Sequence, residues 1–259
     1  MIETRSTPVR PSVALVIPAW NEEAAIGQVV GRVPRDLVDE IIVVDAGSSD
    51  STVSVAESAG ARVVVERRRG YGRACATGVN ATEAEIIAFL DGDGSDDAGE
   101  LARIILPLVN HRADLVLGTR SNVQSGAMPI YARLGNVFAA AIISALWRQR
   151  VTDLPSCKAI RRSDLVALGM TESTYGWTIE LVVKSARRGL RLHEVPLTYR
   201  ARVGGESKVS GNARASVKAA YAILRVLFRH GVARGEAGLG DLVEASQPTV
   251  FAPTDANAG

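Results

Sequence analysis

The sequence predicts an α/β protein built on a doubly wound, mostly parallel sheet with helices on both faces. Short apolar runs rich in β-branched residues recur through the first 119 residues, without the polar alternation of strands that face water on one side. Stretches with helical spacing separate these runs. Strands and helices that alternate in this way are typical of a parallel sheet covered on both faces, so we expect one large domain.

Five strands are expected in this first half, and helices follow four of them. The strands span residues 13–18, 40–45, 61–66, 85–91 and 114–119, and the helices span residues 22–33, 51–59, 72–80 and 100–109. After residue 119 the chain changes to a loop, a long apolar helix over residues 131–147, a polar segment over 151–162, further helix, and one strand in the run HEVPLTY. We interpret this second half as an elaboration of the same domain.

Length and charge limit the organisation and the partners of the chain. We expect an extension over residues 1–12, one domain over 13–230, and a flexible tail rich in Gly, Ala and acidic residues over 231–259. Thirty Lys and Arg against 28 Asp and Glu give a net charge of +2, which argues against a nucleic-acid partner. The oligomeric state stays open.

The apolar runs and the cysteine content favour a cytoplasmic protein. Only two cysteines occur, and the longest apolar stretch, over residues 137–147, falls short of the roughly 18 residues that span a bilayer. Residues 215–229 combine basic and apolar side chains, which suits either a helix lying on an anionic membrane surface or a helix packed on the domain. We therefore expect at most peripheral contact with the cytoplasmic membrane.

Two aspartates follow the fourth expected strand, at the sheet edge where open α/β proteins bind ligands. Asp91 and Asp93 flank a glycine, so both carboxylates can converge on one hard cation that also binds substrate phosphates. An acidic turn is the alternative. A calcium loop is discounted, because the twelfth position, Ala102, is not a glutamate.

Two further segments lie at the same edge. Asp45 ends the second expected strand, where a carboxylate binds a nucleobase or ribose or else sits in a solvated turn, whereas Asp50 is interpreted as a helix cap. The run over residues 66–74 holds four arginines and a Gly-x-Gly that ends at Gly72, just before a helix. Such a helix start suits a diphosphate, and a solvated basic loop is the equal alternative.

The second half contributes one acidic and one basic candidate. Glu180 stands near the start of a helix and is either a capping-box glutamate or a buried functional carboxylate. The loop over residues 200–208, with Arg202 and Lys208, follows the last strand. It either closes over phosphates or carries ordinary surface charge.

Seven motifs in this order resemble glycosyltransferase family 2, and above all the catalytic domains of dolichyl- and polyprenyl-phosphate hexose synthases. They are PAWNEE, VVDAGSSDST, GYGRACATG, FLDGDGSDD, TDLPSCKAIRR, YGWTIE and RVGGESKVSG, and the resemblance covers residues 13–229. It implies a GT-A fold, a nucleoside diphosphate sugar linked to UDP or GDP, Mg²⁺ or Mn²⁺, and inversion at the anomeric carbon.

Carried over by position, the resemblance assigns a role to most of these residues. It implies that the nucleotide sugar is bound by Pro18, Ala19, Asn21, Glu22, Asp45 and Asp91, and the metal by Asp91 and Asp93, with Asp93 also catalytic. Gly72 is expected to bind the nucleotide sugar from its place at the helix start. It implies that Arg120 and Arg133 grip an acceptor phosphate and that Arg202 and Lys208 belong to the closing loop. Arg120 could instead pair with Asp91 or Asp93.

The sequence also departs from the family pattern. Residues 156–158 replace the usual small aromatic motif, Ser95 stands where some relatives carry a glutamine, and the QxxRW motif of processive synthases is missing. The C-terminal transmembrane hairpins of many lipid-linked relatives are missing too. The first two departures leave sugar and acceptor open, and the third argues against chain extension.

The implied reaction is attack on the sugar, in line with the leaving diphosphate, by polyprenyl phosphate. A phosphate acceptor is already anionic, whereas a soluble hydroxyl acceptor would need Glu180 or Asp153 as a general base. A soluble phosphate acceptor, a sugar-phosphate nucleotidyltransferase and a catalytically dead nucleotide-binding module are the alternatives. A nucleotidyltransferase would carry a glycine-rich loop with Arg and Lys where this chain has AWNEE.

Overall fold

The computed structural model describes residues 10–124, 130–204 and 225. Seven strands and seven α-helices occur in this part of the chain, and a 3₁₀ turn precedes the fourth helix. In chain order they are β1 (Val13–Ala19), α1 (Ile26–Gly31), β2 (Glu40–Asp45), α2 (Thr52–Ser58), β3 (Arg62–Val65), α3 (Tyr71–Asn80), β4 (Ile86–Phe89), α4 (Leu101–Val109), β5 (Leu115–Val123), α5 (Ile130–Trp147), β6 (Lys158–Arg161), α6 (Arg162–Ala167), α7 (Trp177–Arg187) and β7 (Leu192–Tyr199).

The strands form one mostly parallel sheet in the order β3-β2-β1-β4-β6-β5-β7. Every neighbouring pair is parallel except the two that involve β6, which runs antiparallel to both β4 and β5. The predicted α/β architecture is therefore confirmed. The carboxyl ends of β1, β2 and β4 meet at one edge, and the first residue of β6 lies at that edge as well.

Helices cover both faces of the sheet, as the uninterrupted apolar strands predict. Successive residues of β1 point to opposite sides: Ala14 and Val16 pack with α3, α5 and α7, whereas Val13, Leu15 and Ile17 pack with α1, α2 and α4. All five of these side chains have no exposed surface. Burial of this kind contributes roughly 1.5–3 kcal/mol for each large apolar side chain, so both helical layers are held firmly to the sheet.

Two expected elements differ from the observed ones. The strand expected over residues 61–66 forms as β3, but the expectation that it is covered on both faces is wrong, because β3 is an edge strand and Val65 is 58% exposed. The helix expected over 22–33 is confined to α1, since the chain first makes turns in which the backbone N–H groups of Ala25 and Ile26 both donate to the carbonyl of Glu22.

β6 is the strand that the sequence pattern did not reveal. It is short and carries a lysine and an arginine at its two ends, so no apolar run marks it. The sheet nevertheless buries Lys158 completely, opposite Phe89 of β4.

The predicted tail over residues 231–259 lies outside the described residues, and so does the predicted helix over residues 215–229 apart from Arg225.

Candidate active site

A cavity of about 500 Å³ opens at the carboxyl edge of the sheet, beside the start of α3. This is where open α/β sheets bind their ligands, and the volume lies within the usual range for small-molecule sites. The lining residues come from the ends of β1, β2 and β4, from the start of α3, and from the segments that precede α7 and follow β7: Pro18, Ala19, Trp20, Glu22, Ala46, Arg69, Gly70, Tyr71, Ala74, Asp91, Gly92, Asp93, Thr174, Tyr175 and Arg202.

The acidic pair predicted after the fourth strand lies in this cavity. Asp93 is 5% exposed, and its Oδ1 accepts a hydrogen bond from the N–H of Ser95 at 2.9 Å. Its Oδ2 lies 2.6 Å from Nη2 of Arg202, in a loop that follows β7. A loop arginine therefore neutralises one of the two predicted metal ligands.

Burial and mutual repulsion disfavour the charge on this acidic cluster. Burial is the largest influence on Asp91, and with the charges of Asp93 and Asp96 it raises the pKa of Asp91 to about 7. Burial also raises the pKa of Asp96 to about 6, although Ser156 donates a hydrogen bond to Oδ2 of Asp96 at 2.7 Å. A cation bound between these carboxylates would stabilise their ionised forms.

The protein side chains supply only part of the ligands that a divalent cation needs. Within the described ranges, no group of three or more His, Cys, Asp and Glu side chains is placed to hold a metal ion. Asp91 and Asp93 offer hard oxygen ligands, and Mg²⁺ characteristically uses one or two carboxylates together with substrate phosphates. The donor set thus suits a cation that arrives with a diphosphate.

The residues predicted to bind the nucleotide at the end of β1 have two different roles: some line the cavity, and one holds neighbouring loops together. Pro18, Ala19 and Glu22 line the cavity, whereas Asn21 does not. Asn21 has a φ of +52°, its N–H donates to Oγ of Ser48 at 2.8 Å, and its Oδ1 accepts from the N–H of Ser49 at 2.9 Å. Asn21 therefore ties the loop after β1 to the loop after β2.

Asp45 supports its own turn at the end of β2. Its carboxylate accepts hydrogen bonds from the N–H groups of Gly47 and Ser48 at 3.1 and 3.2 Å, and the side chain does not line the cavity. The neighbouring Ala46 does. Asp50 accepts from the N–H of Thr52 at 3.0 Å, in keeping with its interpretation as a helix cap.

The basic run before α3 brings a different residue to the cavity than predicted. Gly72 packs against the segment before α7, since a Cβ there would lie 2.2 Å from the carbonyl oxygen of Glu172. Gly72 is required for this close approach and does not line the cavity, whereas Arg69 does. The Arg69 guanidinium lies 3.9 Å from the centroid of the Trp20 ring, so both side chains form one wall.

Arg120 lies outside the cavity and pairs with Asp153. Nε and Nη2 of Arg120 donate to the two carboxylate oxygens at 2.9 and 2.6 Å, and the Arg120 N–H donates to Oδ2 at 2.9 Å. Asn136 of α5 and the N–H of Leu154 donate to the same carboxylate. The alternative partners predicted for Arg120, Asp91 and Asp93, are not the ones observed.

These contacts also bear on Asp153 as a general base. Burial alone would raise the pKa of Asp153, but the hydrogen bonds and the charge of Arg120 outweigh it and lower the pKa. A carboxylate stabilised in this way is a poor proton acceptor. Arg133, the second arginine predicted to bind an acceptor phosphate, is exposed on α5 and does not line the cavity.

Glu180 is a structural carboxylate rather than a member of the cavity wall. It is fully buried, and it accepts from the N–H and hydroxyl of Thr171, from the N–H of Glu172, and from Lys184 at 2.7 Å. Burial would raise the pKa of Glu180, but the bonds from Lys184, Thr171 and Glu172 together lower it. Glu180 braces the segment before α7, so the structure does not bring it to the acidic pair.

The loop after β7 lies directly on the acidic loop, which is the segment over residues 91–97 that follows β4. The N–H of Arg200 donates to the carbonyl of Ser95 at 2.8 Å, and that of Val203 donates to the carbonyl of Asp93 at 3.1 Å. Gly94 has a φ of +75°, and a Cβ there would lie 2.8 Å from the Val203 side chain. Lys208, the other residue predicted for this loop, lies outside the described residues.

Sequence reasoning passed over several residues that line the cavity, among them Trp20, Tyr71, Thr174 and Tyr175. Trp20 and Tyr71 stand inside motifs that were singled out, next to the residues that were chosen. Their large side chains beside a glycine or a strand end were the available signal. Thr174 and Tyr175 precede α7, and only the fold brings them to this edge.

In the described part of the chain, no helix is both long and apolar enough to cross a membrane.

The fold and the acidic cavity define a GT-A glycosyltransferase. Residues 14–169 match glycosyl transferase family 2, and the chain belongs to that family. An uncharacterized glycosyltransferase of Mycobacterium tuberculosis is 38% identical over 216 residues, which cover 83% of this chain and 98% of the relative. A dolichyl-phosphate hexose transferase of Haloferax volcanii is 36% identical over 194 residues, which cover 74% of this chain and 84% of the relative.

Solved structures agree with this assignment. Glucosyl-3-phosphoglycerate synthase from Mycobacterium tuberculosis, in complex with Mn²⁺, UDP and glucosyl-3-phosphoglycerate, is similar with a TM-score of 0.69 and 26% identity. The match covers 86% of this chain and 80% of that one. The same enzyme has been solved with Mn²⁺ and UDP-glucose. This synthase therefore binds a nucleotide sugar together with a divalent cation.

Proposed function

We propose that this glycosyltransferase transfers a hexose, with inversion, from a nucleoside diphosphate sugar to polyprenyl phosphate. The observation that carries the proposal is the pair of carboxylates, half-buried Asp91 and buried Asp93, in the cavity at the carboxyl edge of the sheet. Like charges in a buried site need a counter-charge, and a cation that bridges them to a diphosphate supplies it.

Asp91 and Asp93 would hold Mg²⁺ or Mn²⁺ beside the diphosphate. A cation bound there stabilises the negative charge that develops on the leaving diphosphate. Asp93 contributes to catalysis in this sense. The Mn²⁺ complexes of the related glucosyl-3-phosphoglycerate synthase support the assignment.

The nucleoside would lie against the wall formed by Pro18, Ala19, Glu22 and the stacked pair of Trp20 and Arg69. Asn21, Asp45 and Gly72 would act one layer behind, because each holds a loop or a helix start that lines the cavity. Arg69 and Arg202 bring positive charge to the cavity, where it suits a diphosphate.

The proposed acceptor presents a phosphate. The named relatives support this, since one acts on dolichyl phosphate and another is solved with phosphoglyceric acid. A phosphate is anionic near neutral pH and needs no strong general base, which agrees with the paired states of Asp153 and Glu180. Arg133 would supply the cation for this phosphate from the exposed surface of α5, with Arg120 and Asp153 fixing the helix beside it. Lys208 would extend the basic loop.

The lipid is preferred over a soluble acceptor because the dolichyl-phosphate hexose transferase is 36% identical, against 26% for the phosphoglycerate enzyme. A lipid acceptor would bring the protein to the surface of the cytoplasmic membrane. A soluble phosphate acceptor is the second candidate, and the structural similarity to glucosyl-3-phosphoglycerate synthase favours it.

The test is a transfer assay with Mn²⁺ and a panel of UDP- and GDP-sugars. The acceptors are polyprenyl phosphate, 3-phosphoglycerate and, as a matched control without the phosphate, polyprenol. We expect a glycosylated product with polyprenyl phosphate and none with polyprenol. Product only with 3-phosphoglycerate would select the second candidate. Equal transfer to polyprenol, or transfer of the nucleotide to a sugar phosphate, would contradict the proposal.

A further inference from the structure

A lysine is completely buried beneath the candidate donor cavity, and the reaction proposed above gives it no task. Lys158 is the first residue of β6 and has no exposed surface. Its partner across the sheet is Phe89, the last residue of β4. Asp91 follows Phe89 by two residues, so Lys158 lies at the same edge of the sheet as Asp91. An ammonium group in such a place is costly unless hydrogen bonds replace its water.

The hydrogen bonds of this lysine are made to neutral groups on three sides. Nζ donates to the carbonyl of Ser156 and to Oγ1 of Thr178, both at 3.0 Å. It donates to the phenol oxygen of Tyr71 at 3.3 Å and to the carbonyl of Pro155 at 3.4 Å. Its position 5.5 Å from the centroid of the Tyr71 ring adds a cation–π contact. One ammonium group thus joins β6, α3, α7 and the turn before β6.

Two of these partners lead directly to the cavity. Tyr71 lines it beside Asp91, at the start of α3. Ser156 donates through its hydroxyl to Asp96, whose charge acts on Asp91. Lys158 itself does not line the cavity. It therefore contacts the groups that shape the donor site without lining the cavity, and its charge also acts on Asp91 and Asp96.

We propose that Lys158 is a positioning residue of the donor site, which fixes the Tyr71 phenol and the Ser156 turn so that the cavity is preformed for a nucleoside diphosphate and its cation. This inference rests on the proposed function. An uncharged residue of similar length would leave the Tyr71 phenol, the two carbonyls and Thr178 without their shared donor. The cavity wall would then adopt more than one arrangement, and the ligand would have to select the productive one.

Lys184 provides a matched control within the same protein. It is also a largely buried lysine, with 17% of its side chain exposed, and it donates to the carbonyl of Gly169 and pairs with Glu180. Neither Lys184 nor its partners line the cavity. A substitution to Met at either position removes a lysine ammonium group, but only Lys158 donates a hydrogen bond to a residue that lines the cavity.

The experiment measures the affinity for UDP and for GDP, each with Mn²⁺, by calorimetry, and the stability by urea unfolding. We expect Lys158→Met to weaken nucleotide binding about tenfold, the loss of roughly one hydrogen bond to a charged group. We expect Lys184→Met to lose stability with its nucleotide affinity within about twofold of wild type, as for a residue remote from the ligand. Equal nucleotide affinity in wild type and Lys158→Met would overturn the proposal.

Two further variants keep the inference testable. If Lys158→Met does not fold, Thr178→Val removes one acceptor of the ammonium group that does not line the cavity, and unchanged affinity in that variant would also overturn the proposal. In a Tyr71→Phe background, the effect of Lys158→Met should shrink, because part of it acts through the phenol. Full additivity would contradict that route. If wild-type protein bound neither nucleotide with Mn²⁺, the proposed function and this inference would both fall.

Discussion

Two arginine–aspartate pairs flank the acidic loop, and they differ in how firmly each is held. Arg202 and Asp93 lie in the cavity and meet through one guanidinium nitrogen at 2.6 Å, with 27% of the Arg202 side chain exposed. Arg120 and Asp153 lie outside it, where two guanidinium nitrogens and three other donors hold one carboxylate. The same two residue types thus form one partly exposed pair inside the cavity and one more deeply buried pair outside it.

The difference shows how the site combines a rigid frame with an exchangeable charge. Asp153 joins β5 to α5 through Arg120 and Asn136, so this pair belongs to the frame. Arg202 comes from a loop, and its guanidinium is paired with Asp93, the carboxylate that would bind a cation in the proposed function. We expect Arg202 to release Asp93 when a cation and a diphosphate bind.

The largest expected effect is on turnover, at the exchangeable pair. Asp93→Asn should lower turnover about a thousandfold while the protein stays folded, because the charge on the leaving diphosphate loses its stabilisation. A transfer assay with the best donor, alongside circular dichroism, makes the measurement. Asp39→Asn is the control, since Asp39 pairs with Arg10 away from the cavity. Turnover of Asp93→Asn within tenfold of wild type would refute the role of this carboxylate.

At the fixed pair, the expected effect is on stability. Asp153→Asn should lower the free energy of unfolding by about 3 kcal/mol, because it leaves the buried Arg120 without its counter-charge. Urea unfolding measures this, and the affinity for nucleotide with Mn²⁺ should stay within about twofold of wild type. A stability loss below about 1 kcal/mol would show that the pair is not part of the frame.

The acid limb of the stability curve gives a further test of the fixed pair. The pKa of Asp153 is lowered in the folded protein, so ionised Asp153 contributes stability above its ordinary pKa of about 4, and this contribution is lost as the pH falls through the lowered value. Wild-type protein should therefore lose more stability than Asp153→Asn between pH 5 and 2, a window of about three units around these pKa values. Parallel curves for both proteins would contradict the assignment.

The smallest expected effect concerns exchange of Arg202. Arg202→Gln should bind Mn²⁺ alone about threefold more tightly, because an ion pair that is partly exposed contributes up to about 1 kcal/mol to the competing state. The same variant should bind UDP or GDP with Mn²⁺ more weakly, since a positive charge beside the diphosphate is lost. Arg200→Gln is the matched control from the same loop, because Arg200 pairs with Asp97. Tighter binding of both ligands by Arg202→Gln would show that Arg202 acts only as a competitor.

The sheet and the acidic pair could be predicted from the sequence, because both depend on local pattern. Uninterrupted apolar strands marked β1, β2 and β4, and their ends marked the edge where Asp91 and Asp93 lie. β6 could not be predicted in this way. Its burial depends on two neighbouring strands and on hydrogen bonds that Lys158 donates to distant segments.

The ion-pair partners of the charged residues could not be predicted from the sequence either. Asp153 is 33 positions from Arg120, and Arg202 is 109 positions from Asp93, so no local spacing relates either pair. Glu180 shows the opposite problem. Its position near the start of α7 left a structural and a functional role equally open, and only the fold shows its contacts with Thr171, Glu172 and Lys184, which favour the structural role.

The measurement that tests the central claim most directly is a calorimetric titration of UDP and GDP into wild-type protein with Mn²⁺ and, in parallel, with excess EDTA. A cation held by Asp91 and Asp93 would bridge the protein to the diphosphate, so its removal should cost most of the affinity. We predict that at least one nucleotide binds with Mn²⁺ and that EDTA weakens it by about tenfold or more. Equal affinity with and without the cation, or binding of neither nucleotide, would contradict the account.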